Sequence, residues 1–162
     1  MAMQPIYDGP VLIRIDTNQG TGLESLGYSE EGPEVEFDEK RLPVYGDQFG
    51  GSSGPPIDIQ SLSGIYIVRF TLTKYDTAVL AKIEAMVAGG TAGTANTPGT
   101  LLFTESNKIF RLLLSPTSRP MNFLRAVPMP ISWNKGVKHS KPSLSFECHQ
   151  NASSIYYNTT TS

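Results

Sequence analysis

Apolar residues along this chain recur mostly in short blocks or at every second position, and turn residues break the pattern every few residues. Val11-Leu12-Ile13-Arg14-Ile15 is a β-branched run closed by Asp16-Thr17-Asn18-Gln19-Gly20, which reads as a strand and a turn. Leu23 to Tyr28 is a weaker strand. Glu34-Val35-Glu36-Phe37-Asp38-Glu39 alternates with period two, so Val35 and Phe37 face a core and the acids face out. Leu42 to Tyr45 continues as an edge strand, because Pro43 has no N–H to give a ladder. The strongest strand is Ile65 to Leu72. Its Tyr66, Val68, Phe70 and Leu72 make the better core face, against Ile65, Ile67, Arg69 and Thr71 on the other.

The period changes once. Val79, Leu80, Ile83, Met86 and Val87 fall on one stripe of an amphipathic helix over Tyr75 to Val87. Thr73 to Asp76 reads as its capping box, and Gly89-Gly90 stops it. Strands then return at Leu101 to Phe103, Ile109 to Leu114, Phe123 to Val127 and Leu144 to His149. In the last, Leu144, Phe146 and Cys148 point one way and Ser143, Ser145, Glu147 and His149 the other. The expected fold is mainly β: a β-sandwich or small barrel of about eight strands with one flanking helix and a long inter-strand loop. That loop is Gly46 to Pro56, rich in Gly and Ser; Thr91 to Thr100 is a second flexible connection. A polar tail over Asn151 to Ser162 is expected to dock on a neighbour or fray.

Length fits one domain over residues 1–162. A single cysteine, Cys148, excludes an internal disulfide. Only 17% of residues are charged, with 15 glycines and 12 prolines, so the surface is weakly charged and turn-rich. The net charge of −2 argues against a protein that lives by gripping nucleic acid. No apolar run approaches the ~18 residues a membrane helix needs, so no membrane partner is expected. Met1 to Pro10 lacks the basic-then-apolar layout of a secretion signal.

Candidate chemistry does not converge. Gly50 to Gly54 lacks the Lys-Ser/Thr ending of a phosphate loop and runs into Pro55-Pro56. Asp47 and Asp58 flank it, and turn capping explains them as well as cation binding does. Glu147, Cys148, His149 and His139 resemble a metal set, but neighbours on a strand point to opposite faces, and no CxxC or HExxH spacing is present. No serine sits in a Gly-x-Ser-x-Gly setting. The Asn-x-Ser/Thr triplets at Asn151 and Asn158 are chance matches in a Ser/Thr-rich tail. We therefore expect no catalytic site, no cofactor, no metal and no enzyme activity. Lys135, Lys138 and Lys141, with His139, form a basic stretch beside Trp133. The acidic stretch Glu30 to Glu39 is its expected counterpart on a second copy, and two such separated patches suit a head-to-tail interface that closes into a ring.

An ordered set of segments also resembles a family. Leu26-Gly27-Tyr28-Ser29-Glu30-Glu31-Gly32 is followed by Val35-Glu36-Phe37, then Val44-Tyr45-Gly46-Asp47-Gln48-Phe49-Gly50, Pro56-Ile57-Asp58 and Gly64 to Leu72, which leads into the helix. This order is similar to the tail-tube and related virion proteins of tailed bacteriophages, well over residues 22–90 and loosely beyond. Gly50 to Pro56 is longer than the family pattern, and no second copy of the domain is present. The resemblance implies a structural subunit forming stacked hexameric rings around a DNA-conducting lumen. Its partners would be its own copies and other tail or neck proteins, with only transient, non-specific passage of DNA. It implies assembly in the host cytoplasm and a place in the virion tail. Tyr45 to Pro56, with Tyr45, Asp47, Phe49, Pro55 and Pro56, would be an arm reaching the adjacent ring. Glu34, Glu36, Asp38 and Glu39 would be an acidic lumen lining or an interface. Neck, head–tail completion or capsid-decorating roles are the alternative, and a ligand-binding β-sandwich is a further one.

Overall fold

A computed structural model describes residues 9–16, 22–29, 31–87, 98–99, 109–116, 119–136 and 140–160, apart from the side chains of Phe49, Met86 and Val87. The strands are β1 (Val11–Asp16), β2 (Glu24–Ser29), β3 (Glu34–Val44), β4 (Asp58–Thr71), β5 (Lys74–Tyr75), β6 (Phe110–Ser115), β7 (Met121–Pro128), β8 (Ser132–Lys135), β9 (Ser140–Cys148) and β10 (Tyr157–Asn158). The described residues hold one α-helix, α1 (Thr77–Val87). All strand pairs are antiparallel, in the order β3-β4-β9-β7-β6-β1-β2-β5, with β8 added to β9 and β10 added to β7. The sheet folds over one core without closing, so the fold is the expected mainly β, sandwich-like class with one flanking helix.

Period-two patterning builds that core. Val68, Phe70 and Leu72 from β4 and its end, and Leu144, Phe146 and Cys148 from β9, are buried together with Ile13, Ile15, Leu26, Phe110, Leu112, Leu114 and Phe123. The register Val68↔Phe146 and Phe70↔Leu144 sets these side chains side by side, and the Phe70 and Phe146 rings stack at 5.8 Å. Val79, Leu80 and Ile83 of α1 close the other side of the core. The helix starts two residues later than the sequence suggests. Asp76, not Thr73, caps it: Asp76 Oδ1 accepts from the Ala78 N–H at 2.8 Å and the Val79 N–H at 3.3 Å. Thr73 is held elsewhere, its hydroxyl donating to the Tyr28 carbonyl at 3.2 Å, because Lys74–Tyr75 pair with β2 before the helix begins. That pairing also explains Gly27: a Cβ there would lie 2.2 Å from the Lys74 carbonyl oxygen.

Three short strands escaped the sequence reading: β5, β8 and β10. Over its described part the tail packs on its own chain. Residues 151–160 turn back, and Tyr157 and Asn158 pair with Phe123 and Asn122 of β7. The expected strand at Leu101 to Phe103, the turn at residues 17–20 and the helix stop at Gly89-Gly90 lie outside the described residues.

Candidate assembly surface

β3 and β4 are the longest strands, and they outrun the sheet that anchors them. β9 pairs with β4 only from Tyr66 to Thr71, while β3 follows β4 all the way from Glu34↔Arg69 to Val44↔Asp58. The outer half, Lys40 to Val44 with Asp58 to Ser63, is therefore a two-stranded arm with no third strand among the described residues. Its tip carries short 3₁₀ turns at Asp47–Phe49 and Gly51–Ser53, joined by Gly50 at φ 91° and Gly51 at φ 61°, a left-handed geometry that favours glycine. Ordered backbone bonds thus cross part of the expected loop: the Gly50 N–H donates to the Asp47 carbonyl, and the Ile57 N–H to the Val44 carbonyl.

The arm exposes the wrong chemistry for a solvated hairpin. Leu42, Val44, Tyr45, Ile57, Ile59 and Leu62 are each between 39% and 55% exposed. Residues opposite each other in a ladder share a face, so Leu42 and Val44 lie with Gln60 and Asp58, while Pro43 and Ile59 lie on the reverse with Arg41 and Ser61. Both faces therefore carry exposed apolar side chains, and among the described residues β3 is an edge strand alongside them. Of the arm residues named from the sequence, Tyr45, Asp47, Pro55 and Pro56 sit exposed at the tip, and the Phe49 backbone lies in the first 3₁₀ turn.

The four carboxylates named together do not stay together. Glu34, Glu36 and Asp38 share the solvent face of β3, and the row Glu36↔Ile67↔Glu147 adds a fourth acid from β9. Arg69 Nη1 pairs with Glu36 Oε2 at 3.1 Å on this face. Glu39 lies on the reverse, at the arm's root, where Ser61 Oγ donates to Oε1 at 2.5 Å and Arg41 Nε to Oε2 at 2.7 Å. The Ser61 hydroxyl, and after it Arg41, hold the Glu39 carboxyl below its ordinary value.

The basic stretch divides as well. Lys135 pairs with Ser140 and Lys141 with Asn134, so the two lysines point to opposite faces of the β8–β9 hairpin. Lys135 Nζ sits 3.9 Å over the Trp133 ring. Trp133 itself packs against the core, and its indole N–H donates to Glu84 of α1. Lys138, His139 and Glu30 lie outside the described residues. Over its described part, the basic stretch is thus a strand that fastens the helix.

Among the described residues, no three His, Cys, Asp or Glu side chains gather where they could hold a metal ion. Asp58 Oδ1 accepts from the Ile59 N–H at 2.7 Å, a local turn contact. Cys148 is buried in the core, and burial, with the nearby Glu147 charge, pushes its thiol up. Glu147 and His149 face away from it, 3.5 Å apart.

The tail adds an aromatic group that was read only as polar. Tyr66 lies 4.7 Å from Phe37, 5.1 Å from Tyr156 and 5.6 Å from Tyr157, ring centre to ring centre. The signal for it was the run Ile155-Tyr156-Tyr157 inside an otherwise polar segment.

The same fold occurs in known particles. A chain from the tail of an empty gene transfer agent particle, computed with helical refinement and C6 symmetry, superposes with a TM-score of 0.57 over 93% of this chain and 96% of its own, at 9% identity. A chain from the virion of a native gene transfer agent particle superposes with a TM-score of 0.54 over 96% of this chain and 99% of its own, at 10% identity. The resemblance to tail and related virion proteins that the sequence suggested is therefore present at the level of the fold. No protein-family model and no curated protein sequence matches the chain.

Proposed function

We propose that this chain is a structural virion protein of a phage-like particle, and within it the tail-tube subunit. Six copies form a ring, and rings stack around a lumen that conducts DNA. The observation that carries this reading is the arm: a hairpin running beyond its own core, apolar on both faces, on a fold matched by a tail chain along nearly its whole length. Such a surface marks an interaction site, and adjacent copies are the cover we assign to it.

The acidic sheet face supports the same reading. Glu34, Glu36, Asp38 and Glu147 face solvent together, against Lys40, Arg69 and Lys141. A lumen of that sign repels phosphates, and each cationic contact it lacks is one fewer source of drag on passing DNA. We place these four carboxylates in the lumen and Glu39 outside it. The role is non-enzymatic, the location is the virion tail after assembly in the host cytoplasm, and the partners are further copies and other tail or neck proteins.

Labelling intact particles with a gold-conjugated antibody to this chain tests the proposal. Gold along the tail is expected. Gold confined to the neck or scattered over the head would replace the tube role with a connector or decorating role.

A further inference from the structure

We propose that the C-terminal segment 151–160 is a strap that fixes the direction of the hairpin arm by latching its root at Gly64. The strap acts on how the arm is held, whatever the arm meets.

Strand regularity fails at one level on both sides of the arm. The β3–β4 register slips between Lys40 and Arg41, and Ser63, opposite Lys40, has φ 152°. A bulge facing a residue in that region bends a hairpin. Gly64 follows, where a Cβ would lie 2.5 Å from the Asp38 carbonyl oxygen and 2.7 Å from the Phe37 ring. This is also where β4 loses its third-strand support, since its last residue paired with β9 is Tyr66. The arm thus leaves the body through a joint.

Tyr156 sits on that joint. Its hydroxyl donates to the Gly64 carbonyl at 2.6 Å and accepts from Gln150 Nε2 at 3.1 Å. Its ring meets Phe37 edge-on at 5.6 Å and Tyr66 at 5.1 Å. The strap is closed on itself before Tyr156 and fastened to the body at and after it. Before it, Asn151 Oδ1 accepts from the Ser153 and Ile155 N–H groups and closes a turn whose Ser154 has φ 61°. At and after it, the Leu124 N–H donates to the Tyr156 carbonyl and Tyr157 pairs with Phe123. β7 is an interior strand, so the strap ties a fixed element to the arm's joint. Without the Tyr156 contacts, Tyr157 still meets Tyr66 at 5.6 Å, but of the ring contacts on Phe37 only Tyr66 at 4.7 Å remains at the root. The arm would then swing about Ser63–Gly64.

Two readouts on the full chain test this. Spin labels at Gln60→Cys on the arm and Ala81→Cys on α1 report the arm's direction; both positions are exposed, and Cys148 is buried. Amide exchange reports opening of residues 40–63 against β6 and β7. The latched protein should give one narrow distance. Tyr156→Ala should broaden it and raise arm exchange about tenfold, with β6 and β7 unchanged; Tyr156→Phe, which keeps the ring and loses the hydroxyl, should raise it about threefold. Unchanged arm exchange in Tyr156→Phe, or an equal rise across arm and body, would overturn the proposal. If Tyr156→Ala fails to fold, the Phe variant decides alone.

Discussion

The Trp133 indole N–H donates to Glu84 Oε1 at 3.1 Å, which binds the four-residue strand β8 to the only helix among the described residues. The Trp133 ring also meets Tyr75 at 6.1 Å and carries Lys135 on its face. Trp133→Ala should therefore cost about 2–3 kcal/mol in urea unfolding, below a fully buried Trp because this one is only partly buried. Trp133→Phe, which keeps most of the packing, should cost about 1 kcal/mol. Equal losses for both would mean that the hydrogen bond, not the ring, holds the helix.

Cys148 should behave as a core atom, not a reactive thiol. Burial raises its pKa, and its neighbours are Phe146 and Leu144 on the same face. Folded protein at pH 8 should resist a thiol-specific reagent, and urea-unfolded protein should react fully. Rapid labelling of the folded chain would contradict its placement.

Glu39 gives the arm root a pH dependence. Its carboxyl titrates below the ordinary value of 4.5 because Ser61, then Arg41, bind the charged form. A depressed carboxylate contributes stability that is present above its ordinary value and lost as pH falls through the folded value. Amide exchange of the root should be slower in the native chain than in Glu39→Gln at pH 7, and the two should converge as pH falls below 4.5 and through the lowered folded value. A difference that persists at low pH would assign the effect to shape and not to charge.

The arm's two apolar faces predict two equivalent lesions. Leu42→Asp and Ile59→Asp sit on opposite faces and are half exposed, so each should change monomer stability by less than about 0.5–1 kcal/mol. Each should nonetheless abolish assembly seen by light scattering. If only one does so, the arm is covered on one side alone.

Much of this was legible in the chain. The alternation in Ile65 to Leu72 and Leu144 to His149 and the helical stripe at Val79, Leu80 and Ile83 each describe one buried face, and burial enforces the period. β5, β8 and β10 were not legible, because two to four residues carry no period and their pairing is decided by distant partners. The cap went to Asp76 over Thr73 for the same reason. The acidic and basic stretches were legible as composition only. Strand alternation then moved Glu39 away from Glu34, Glu36 and Asp38, and hairpin pairing separated Lys135 from Lys141. The arm was seen as a Gly/Ser-rich loop, while its ladder and two apolar faces depend on a register that no local pattern sets.

The acidic face has its own test. Reversing Glu34, Glu36 and Asp38 to Lys should leave rings forming while making the assembly retain duplex DNA at low salt and release it as salt rises. Loss of the rings themselves would place these residues at a subunit interface instead.

The most direct measurement is electron microscopy of the assembled protein with image reconstruction. The account predicts stacked six-fold rings with an open axial channel, the Leu42–Ile59 arm buried against neighbouring copies, and Glu34, Glu36 and Asp38 facing the channel. An assembly without an axial channel, or one whose arms stand free in solvent, would contradict it.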